Sequence, residues 1–434
     1  MELRDFIVTP IWLFIIYIVA YWLRPRFTDV NTKRYFIPAL TVKILGAIAV
    51  GVVYQFYYGY GDTFWYHTYG SRIIWETIIN SPIEGFRLIF EENQFTTDLY
   101  PWASKIRYYE YDDTYFIVRL SAICDLFTFS SYIGTAMLFS VIGFSGLWAL
   151  FKTFYSRFTE LHRNLALAIL FIPSIAFWGS GILKDTVTLS ALGWLVYSVD
   201  QLLFKKNKSL IILLVLIINV YILFVVKKYI LLTFVPCSII WIYLSRISKI
   251  SSLLLKTAIA PFLIIFFAIF SYWSVIKISE NDARYSMDKI AETARITAYD
   301  IAYQTGKGAG STYELGQLDG TFESMMSLFP KAVVVSLFRP FPWEVKTPLM
   351  LLASLESSVI LLLTLLVIFR GNWISLLYGK IDPIVIFSIL FALTFAFAVG
   401  VSTFNFGTLM RYKIPLMPFY LSFIVVVINS VTKE

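Results

Sequence analysis

The chain has 434 residues, of which 58% are hydrophobic and 15% charged, and its mean hydropathy is +0.73, a balance that excludes an ordinary soluble protein. Thirty-six Lys and Arg against 28 Asp and Glu give a net charge of +8. In a soluble protein that excess would point to nucleic acid; in a chain of recurring apolar runs it reads as topology determinants facing the cytoplasm, so no nucleic-acid partner is expected.

Apolar runs of about 17–25 residues suffice to cross the hydrocarbon of a bilayer, and their recurrence predicts an all-α polytopic membrane helical bundle. Eleven spans are expected, at 8–23, 37–57, 131–151, 164–182, 186–204, 209–226, 229–244, 255–275, 347–369, 383–402 and 413–430. The first run has no small-residue cleavage site and many more follow it, so it is expected to be a retained span. Assigning linkers to alternate sides gives one short, basic set. It holds Arg24, Arg26, Lys33 and Arg34; Lys152, Arg157 and Arg163; Lys205, Lys206 and Lys208; Arg246, Lys249 and Lys256; Arg370 and Lys380. The positive-inside rule makes these cytoplasmic, with the amino terminus outside and the carboxyl terminus inside.

The other set contains the long loops 58–130 and 276–346, the first of them acidic through Glu84, Glu91, Glu92, Asp98, Glu110, Asp112 and Asp113. Amphipathic stretches fill these loops. In 71–90 the apolar Ile73, Ile74, Ile78 and Phe86 recur at near-helical spacing with a break at Pro82, and 287–304 sets Ile290, Ala294, Ile301 and Tyr303 against Lys289, Glu292, Arg295 and Asp300. Such helices lie on the membrane surface or roof a cavity beneath it, so residues 1–434 are expected to form a single integral membrane domain. No internal repeat, low-complexity tract or flexible linker divides the chain. Cys124 and Cys237 lie far apart, which supports neither a disulfide framework nor a paired-cysteine metal site.

Chemistry-bearing residues collect where the spans meet the outer face. Segment 59–69, GYGDTFWYHTY, sets Asp62 among aromatics with His67 nearby. An interfacial aromatic girdle explains most of the segment, but not the acid, which at the head of a bundle cavity can serve as a general base while the rings stack on sugars. His162 falls in a basic turn and reads as solvated. Segment 173–185, PSIAFWGSGILKD, ends in Lys184 and Asp185. The plain reading is helix capping by Asp185 and snorkelling by Lys184. The functional one has Lys184 holding a phosphate where water is scarce, Asp185 positioning it or a metal, and Gly179 and Gly181 admitting a headgroup to the backbone. Segment 405–413, NFGTLMRYK, offers Asn405, Arg411 and Lys413, with interfacial anchoring as the competing account. Segment 337–344, LFRPFPWE, brings Arg339 back to the surface, and Glu356 lies inside the following span, where a carboxylate is a functional hypothesis by default. Lys227 and Lys228 form a short outer turn and read as anchors, and the charges within spans are chiefly Glu356, Lys43 and Asp200. The glycines of 305–311 lack phosphate-loop order, two isolated histidines make no zinc site, and no serine-hydrolase elbow occurs.

Taken together, GYGDTFWYH, PSIAFWGSGILKD, LFRPFPWE and NFGTLMRYK resemble the GT-C superfamily of multispanning glycosyltransferases that use polyprenyl-phosphate-linked sugars. The resemblance implies inverting transfer at the outer face. Asp62 matches the base position with His67 beside it, Lys184 or Arg411 match carrier-phosphate contacts with Arg339 and Lys413 in support, and Asp185, Glu356 and Asn405 position substrate or metal. A lipid-linked sugar is then the donor and membrane lipid the surroundings. The acidic motif follows the second span here rather than the first, implying an added amino-terminal helix, and the lack of an Asp-x-Asp pair leaves a divalent cation open. The absence of eukaryotic-style extensions points to a bacterial inner membrane with the site facing the periplasm or exterior. Polysaccharide repeat-unit polymerases show a similar pattern of two long outer loops. A glycolipid transporter would need charges distributed through the membrane depth, and a structural subunit of a membrane complex would tolerate their removal.

Overall fold

The computed structural model describes residues 2–207, 209–247, 289–309, 312–316, 318–371 and 382–431, with positions 262, 265, 266, 269 and 276. The expected span 255–275, apart from those positions, lies outside the described residues, as do Lys208, Lys249, Lys256 and Lys380 and the start of the 287–304 stretch. Among the described residues all regular structure is helical, apart from a bridge between Thr312 and Asn405. Seven helices among the described residues are long and apolar enough to cross a bilayer: Leu3–Phe27, Lys33–Tyr58, Tyr132–Tyr155, Lys184–Phe204, Lys228–Ile247, Pro348–Arg370 and Pro383–Thr403. Phe406–Tyr412 and Met417–Ser430, bent by 68°, make an eighth if they count as one span. The chain is an α-helical membrane protein.

Contacts divide it into two compact units, Met1–Arg157 with Leu170–Lys227, and Phe158–Ile169 with Lys228–Glu434. In the first unit the spans are α1 (Leu3–Phe27), α2 (Lys33–Val53, continued by a widened turn Tyr54–Tyr58), α8 (Tyr132–Tyr155) and α11 (Lys184–Val199, continued to Phe204). Between α2 and α8 lie α3 (Asp62–Tyr66), α4 (Arg72–Asn80), α5 (Pro82–Phe90), α6 (Tyr100–Ala103) and α7 (Asp112–Thr128). The helix break expected at Pro82 is present, and Gly85 closes the α4–α5 elbow, since a Cβ there would lie 2.6 Å from the backbone nitrogen of Ile78.

Small residues let the central helices of this unit touch backbone to backbone. A Cβ on Gly193 of α11 would lie 2.1 Å from the carbonyl oxygen of Gly146 on α8, and one on Gly146 would lie 2.2 Å from that of Ser190. Packing of this kind replaces the hydrophobic drive that lipid cannot supply between helices.

Polar contacts then sort the helix ends. At one end Lys152 pairs with Asp29 at 3.4 Å, Lys205 donates to Ser156 at 3.0 Å, and Arg157 bonds the buried Asp200. At the other, Ser131 donates to the buried Asp5 at 2.7 Å, tying α1 to the start of α8. Successive helices therefore enter and leave at alternate ends, and the basic turns share one of them. The 21 residues from Lys184 to Phe204 separate the ends by about 30 Å at 1.5 Å per residue.

The span expected at 164–182 is not a single helix. It consists of α9 (His162–Leu170), which groups with the second unit, and α10 (Pro173–Trp178), which groups with the first. Pro173 supplies no N–H and disfavours helical backbone before it, and Ile172 is extended (φ −68°, ψ 125°). The run at 209–226 forms α12 (Leu210–Val226), whose 17 residues sit at the lower limit for a crossing.

The second unit is built on α13 (Lys228–Ile247), α14 (Ile290–Ala309), α15 (Phe322–Ser327), α16 (Phe329–Phe338), α17 (Pro348–Arg370), α18 (Pro383–Thr403), α19 (Phe406–Tyr412) and α20 (Met417–Val431). Phe387, Phe391 and Phe395 recur every four residues on α18, so they share a face; Trp241 stacks on Phe387 at 5.0 Å and Phe419 meets Phe391 at 4.9 Å. Gly400 admits α16, since a Cβ there would lie 2.5 Å from the carbonyl of Ala332.

Gly193→Ala forces a methyl into the Gly146 backbone, and overpacking of this kind costs about 1–3 kcal/mol. A lower thermal midpoint for the detergent-solubilised variant is expected; an unchanged midpoint contradicts the α8–α11 contact.

Candidate functional site

The candidate residues of the first unit lie at the end opposite the basic turns. After the widened turn Tyr54–Tyr58, Gly59 and Gly61 take φ of 75° and 137°, and a Cβ on Gly61 would lie 2.4 Å from the ring of Tyr54. Only glycine lets the chain double back there. The carbonyl of Gly61 accepts from the N–H groups of Phe64 and Trp65 at 3.1 and 3.0 Å, which starts α3 and sets half-buried Asp62 in its first turn. Phe64 packs with Phe177 and Trp178 of α10 on a buried cluster of Val50, Tyr54 and Leu183. Leu183 immediately precedes Lys184, so one apolar cluster supports both the acid turn and the start of α11.

Lys184 donates to Asp113, the second residue of α7, at 2.7 Å, and the charges of Lys227 and Asp62 also act on it. Next to it Asp185 accepts from Lys227 at 2.5 Å. The two pairs differ in access: side-chain exposure is 0% and 7% for Asp185 and Lys227, against 16% and 42% for Lys184 and Asp113. One pair is sealed and the other half open. Lys227 is thus not a surface anchor, as its place in a short turn implied. A carboxylate buried at Asp185 requires a counter-ion, and Lys227 at the end of α12 reaches it.

Gly179 and Gly181 are packing positions here. A Cβ at Gly181 would lie 2.8 Å from Val50, and one at Gly179 would lie 2.8 Å from the carbonyl of Ile175 and 3.1 Å from the ammonium of Lys43. The buried Lys43 donates to the carbonyls of Ile175 (3.3 Å) and Gly179, so an amine from α2 closes the carboxyl end of α10 by satisfying its last carbonyls.

His67 lies fully buried. Its Nε2 is 3.4 Å from Asp125, itself fully buried and accepting from Ser71 at 2.6 Å and Thr135 at 2.5 Å. The ring meets Tyr132 edge-on at 5.4 Å, and the Tyr132 hydroxyl bonds Thr63 at 2.7 Å. This network joins the segment after Asp62 to α7 and α8.

In the second unit two of the residues expected to hold phosphate, Arg339 and Lys413, are linked through Ser357. Buried Lys413 donates to Ser357 at 3.1 Å and feels the charge of Glu356, and Ser357 donates to the carbonyl of Arg339 at 3.2 Å. The Arg339 guanidinium lies 5.1 Å from the ring of Phe406 and 5.7 Å from that of Tyr313, and its Nε donates to both oxygens of Glu344 at 3.0 and 3.1 Å. Burial opposes ionisation of Glu344, but the bonds from Arg339 and from the Phe341 N–H outweigh it and hold the carboxyl below its ordinary range. Asn405 accepts from the Thr408 N–H at 3.1 Å and caps α19, which carries the half-buried Arg411.

Asp62, Lys184 and Asp185 therefore share one unit with His67, while Arg339, Glu356, Asn405, Arg411 and Lys413 share the other. Asp113, Asp125 and Lys227 were missed as partners. Asp113 lies 71 positions from Lys184, and Lys227 lies 42 from Asp185. The acidic character of 58–130 was the available signal for Asp113; nothing local pairs Lys227 with Asp185. Among the described residues no three His, Cys, Asp or Glu side chains gather as a metal-ion ligand set. No protein-family model, curated protein or solved structure matches the chain.

Asp185→Asn leaves the Lys227 ammonium buried beside a neutral amide, and breaking a buried pair from one side costs about 3–5 kcal/mol. A large loss of thermal stability is expected, mostly recovered by adding Lys227→Met. A double variant no more stable than the single one contradicts the sealed pair.

Proposed function

We propose that the protein is a membrane glycosyltransferase that transfers a sugar from a polyprenyl-phosphate-linked donor to an acceptor hydroxyl at the extracytoplasmic face, with inversion at the anomeric carbon. The observation that carries this reading is the half-open Lys184–Asp113 pair with the charge of Asp62 acting on the same ammonium. The reading takes eleven crossings, with 58–130 and 276–346 as outer loops bearing surface helices and the membrane as a bacterial inner membrane.

Asp62 takes the proton of the acceptor hydroxyl as its oxygen attacks the anomeric carbon. The bond from that carbon to the phosphate oxygen breaks, and its electron pair leaves on the lipid phosphate. Lys184 meets the charge that develops there, and the proton on Asp62 is released to water after the product departs. A cation fixed in a site of low water content stabilises such charge more than bulk solvent does. The sealed Asp185–Lys227 pair adds no net charge, but it fixes the start of α11 and so the base of the Lys184 side chain. The aromatic rings around Asp62 offer faces for the sugar: Tyr60 stacks with Trp65 at 6.1 Å and is 69% exposed.

Purified protein supplied with a mixed pool of polyprenyl-phosphate sugars, read by mass spectrometry, tests this. Asp62→Asn is expected to lower product formation at least about 100-fold, the lower range for loss of a general base, with carrier binding kept. A variant as active as the wild type removes Asp62 from the mechanism. A wild type that binds glycolipid but never transfers sugar favours a transporter or accessory subunit instead.

A further inference from the structure

Lys184 and Asp113 come from helices far apart in sequence and meet at 2.7 Å, yet the two sides of the pair are held very differently. Lys184 opens α11, whose next residue is locked by the sealed Asp185–Lys227 pair, and only 16% of its side chain is exposed. Asp113 sits in the first turn of α7 on a side chain 42% exposed, between Asp112, which accepts from Asn93 at 2.7 Å, and Thr114, whose hydroxyl donates to it at 3.1 Å. The cation is fixed and its counter-ion is reachable from solvent. A rotation about the side-chain bonds of Asp113 would release the ammonium without disturbing α11, and the freed carboxylate would be solvated rather than stranded. By contrast, Asp185 cannot leave Lys227 without leaving two bare charges inside the protein.

We propose that Asp113 is the resting occupant of an anion site on Lys184, and that the phosphate of a ligand takes its place. The ligand class is a phosphate monoester or diester, and the inference rests on the lipid-phosphate reading given above. Lys227 lies near enough for its charge to act at Lys184, so the incoming anion meets two ammonium groups, one of them committed to Asp185, with Asp62 as the remaining nearby carboxylate. The exchange makes binding a competition: Asp113 lowers the affinity for phosphate, and it also keeps the ammonium paired when the site is empty.

The test measures binding of a polyprenyl monophosphate in detergent micelles, with inorganic phosphate as a second arm that separates a lipid source from a free anion. Asp113→Asn is expected to tighten binding on the order of tenfold, the size of a partly screened surface pair. Asp112→Asn, which removes an equal charge without touching Lys184, is expected to change it far less. Lys184→Met is expected to abolish binding, and the gain from Asp113→Asn should vanish in that background. Weaker or unchanged binding by Asp113→Asn overturns the proposal, as does an equal gain from Asp112→Asn or a gain that survives Lys184→Met. Sugar transfer is followed on the same variants. Transfer intact with no effect of Asp113 on binding removes the exchange alone; no transfer by the wild type with the exchange present removes the transferase reading alone.

Discussion

An ionisable group inside this protein has to find a counter-charge or hydrogen-bond partners, because neither lipid nor a packed helix interface replaces the water it gives up. The first unit is organised by that constraint. Asp5 is held by the start of α8, Lys43 by the carbonyls that end α10, Asp125 by two hydroxyls and His67, Asp185 by Lys227, and Asp200 by Arg157 and Lys205. Most of these contacts join segments distant in sequence. Close glycine packing brings the helices together, and the charges fix which end of one helix meets which end of the next.

The same constraint gives the candidate site its asymmetry. At the head of α11 two consecutive residues of opposite charge face different partners, one sealed and one half open. The sealed pair is a structural pin, since removing either member leaves the charge of the other buried. The half-open pair is the place where a ligand can compete, because its counter-ion keeps access to water. A reaction that develops negative charge on a leaving phosphate uses a cation of this kind, and Asp62 stands near enough for its charge to be felt there.

Much of the architecture was legible from hydropathy and proline alone. The limits of α1, α2, α8, α11, α17 and α18 follow the apolar runs, and Pro82 divides 71–90 as its side-chain geometry requires. The run at 164–182 misled because hydropathy averages over Pro173, whereas the backbone does not. At the site, residue type marked Asp62, Lys184 and Asp185 as unusual, but pairing is a long-range property. Asp113 looked like one acid among many in a polar loop, and Lys227 like one of two lysines in a turn. His67 stands out as a rare residue beside an acid, yet its carboxylate neighbour is Asp125, 58 positions further along the chain.

The central claim is that the Asp62–Asp113–Lys184 end of the first unit opens on the side of the membrane opposite the basic turns. Both native cysteines are buried, and burial pushes the Cys124 thiol up to about 12, away from the thiolate that would attack a maleimide. Single cysteines at the exposed positions Glu110 and Lys206 therefore report the two ends in intact cells treated with a membrane-impermeant maleimide. Labelling of Glu110→Cys, with Lys206→Cys labelled only after the cells are opened, is the result expected. The reverse pattern would put the candidate site in the cytoplasm and contradict the account.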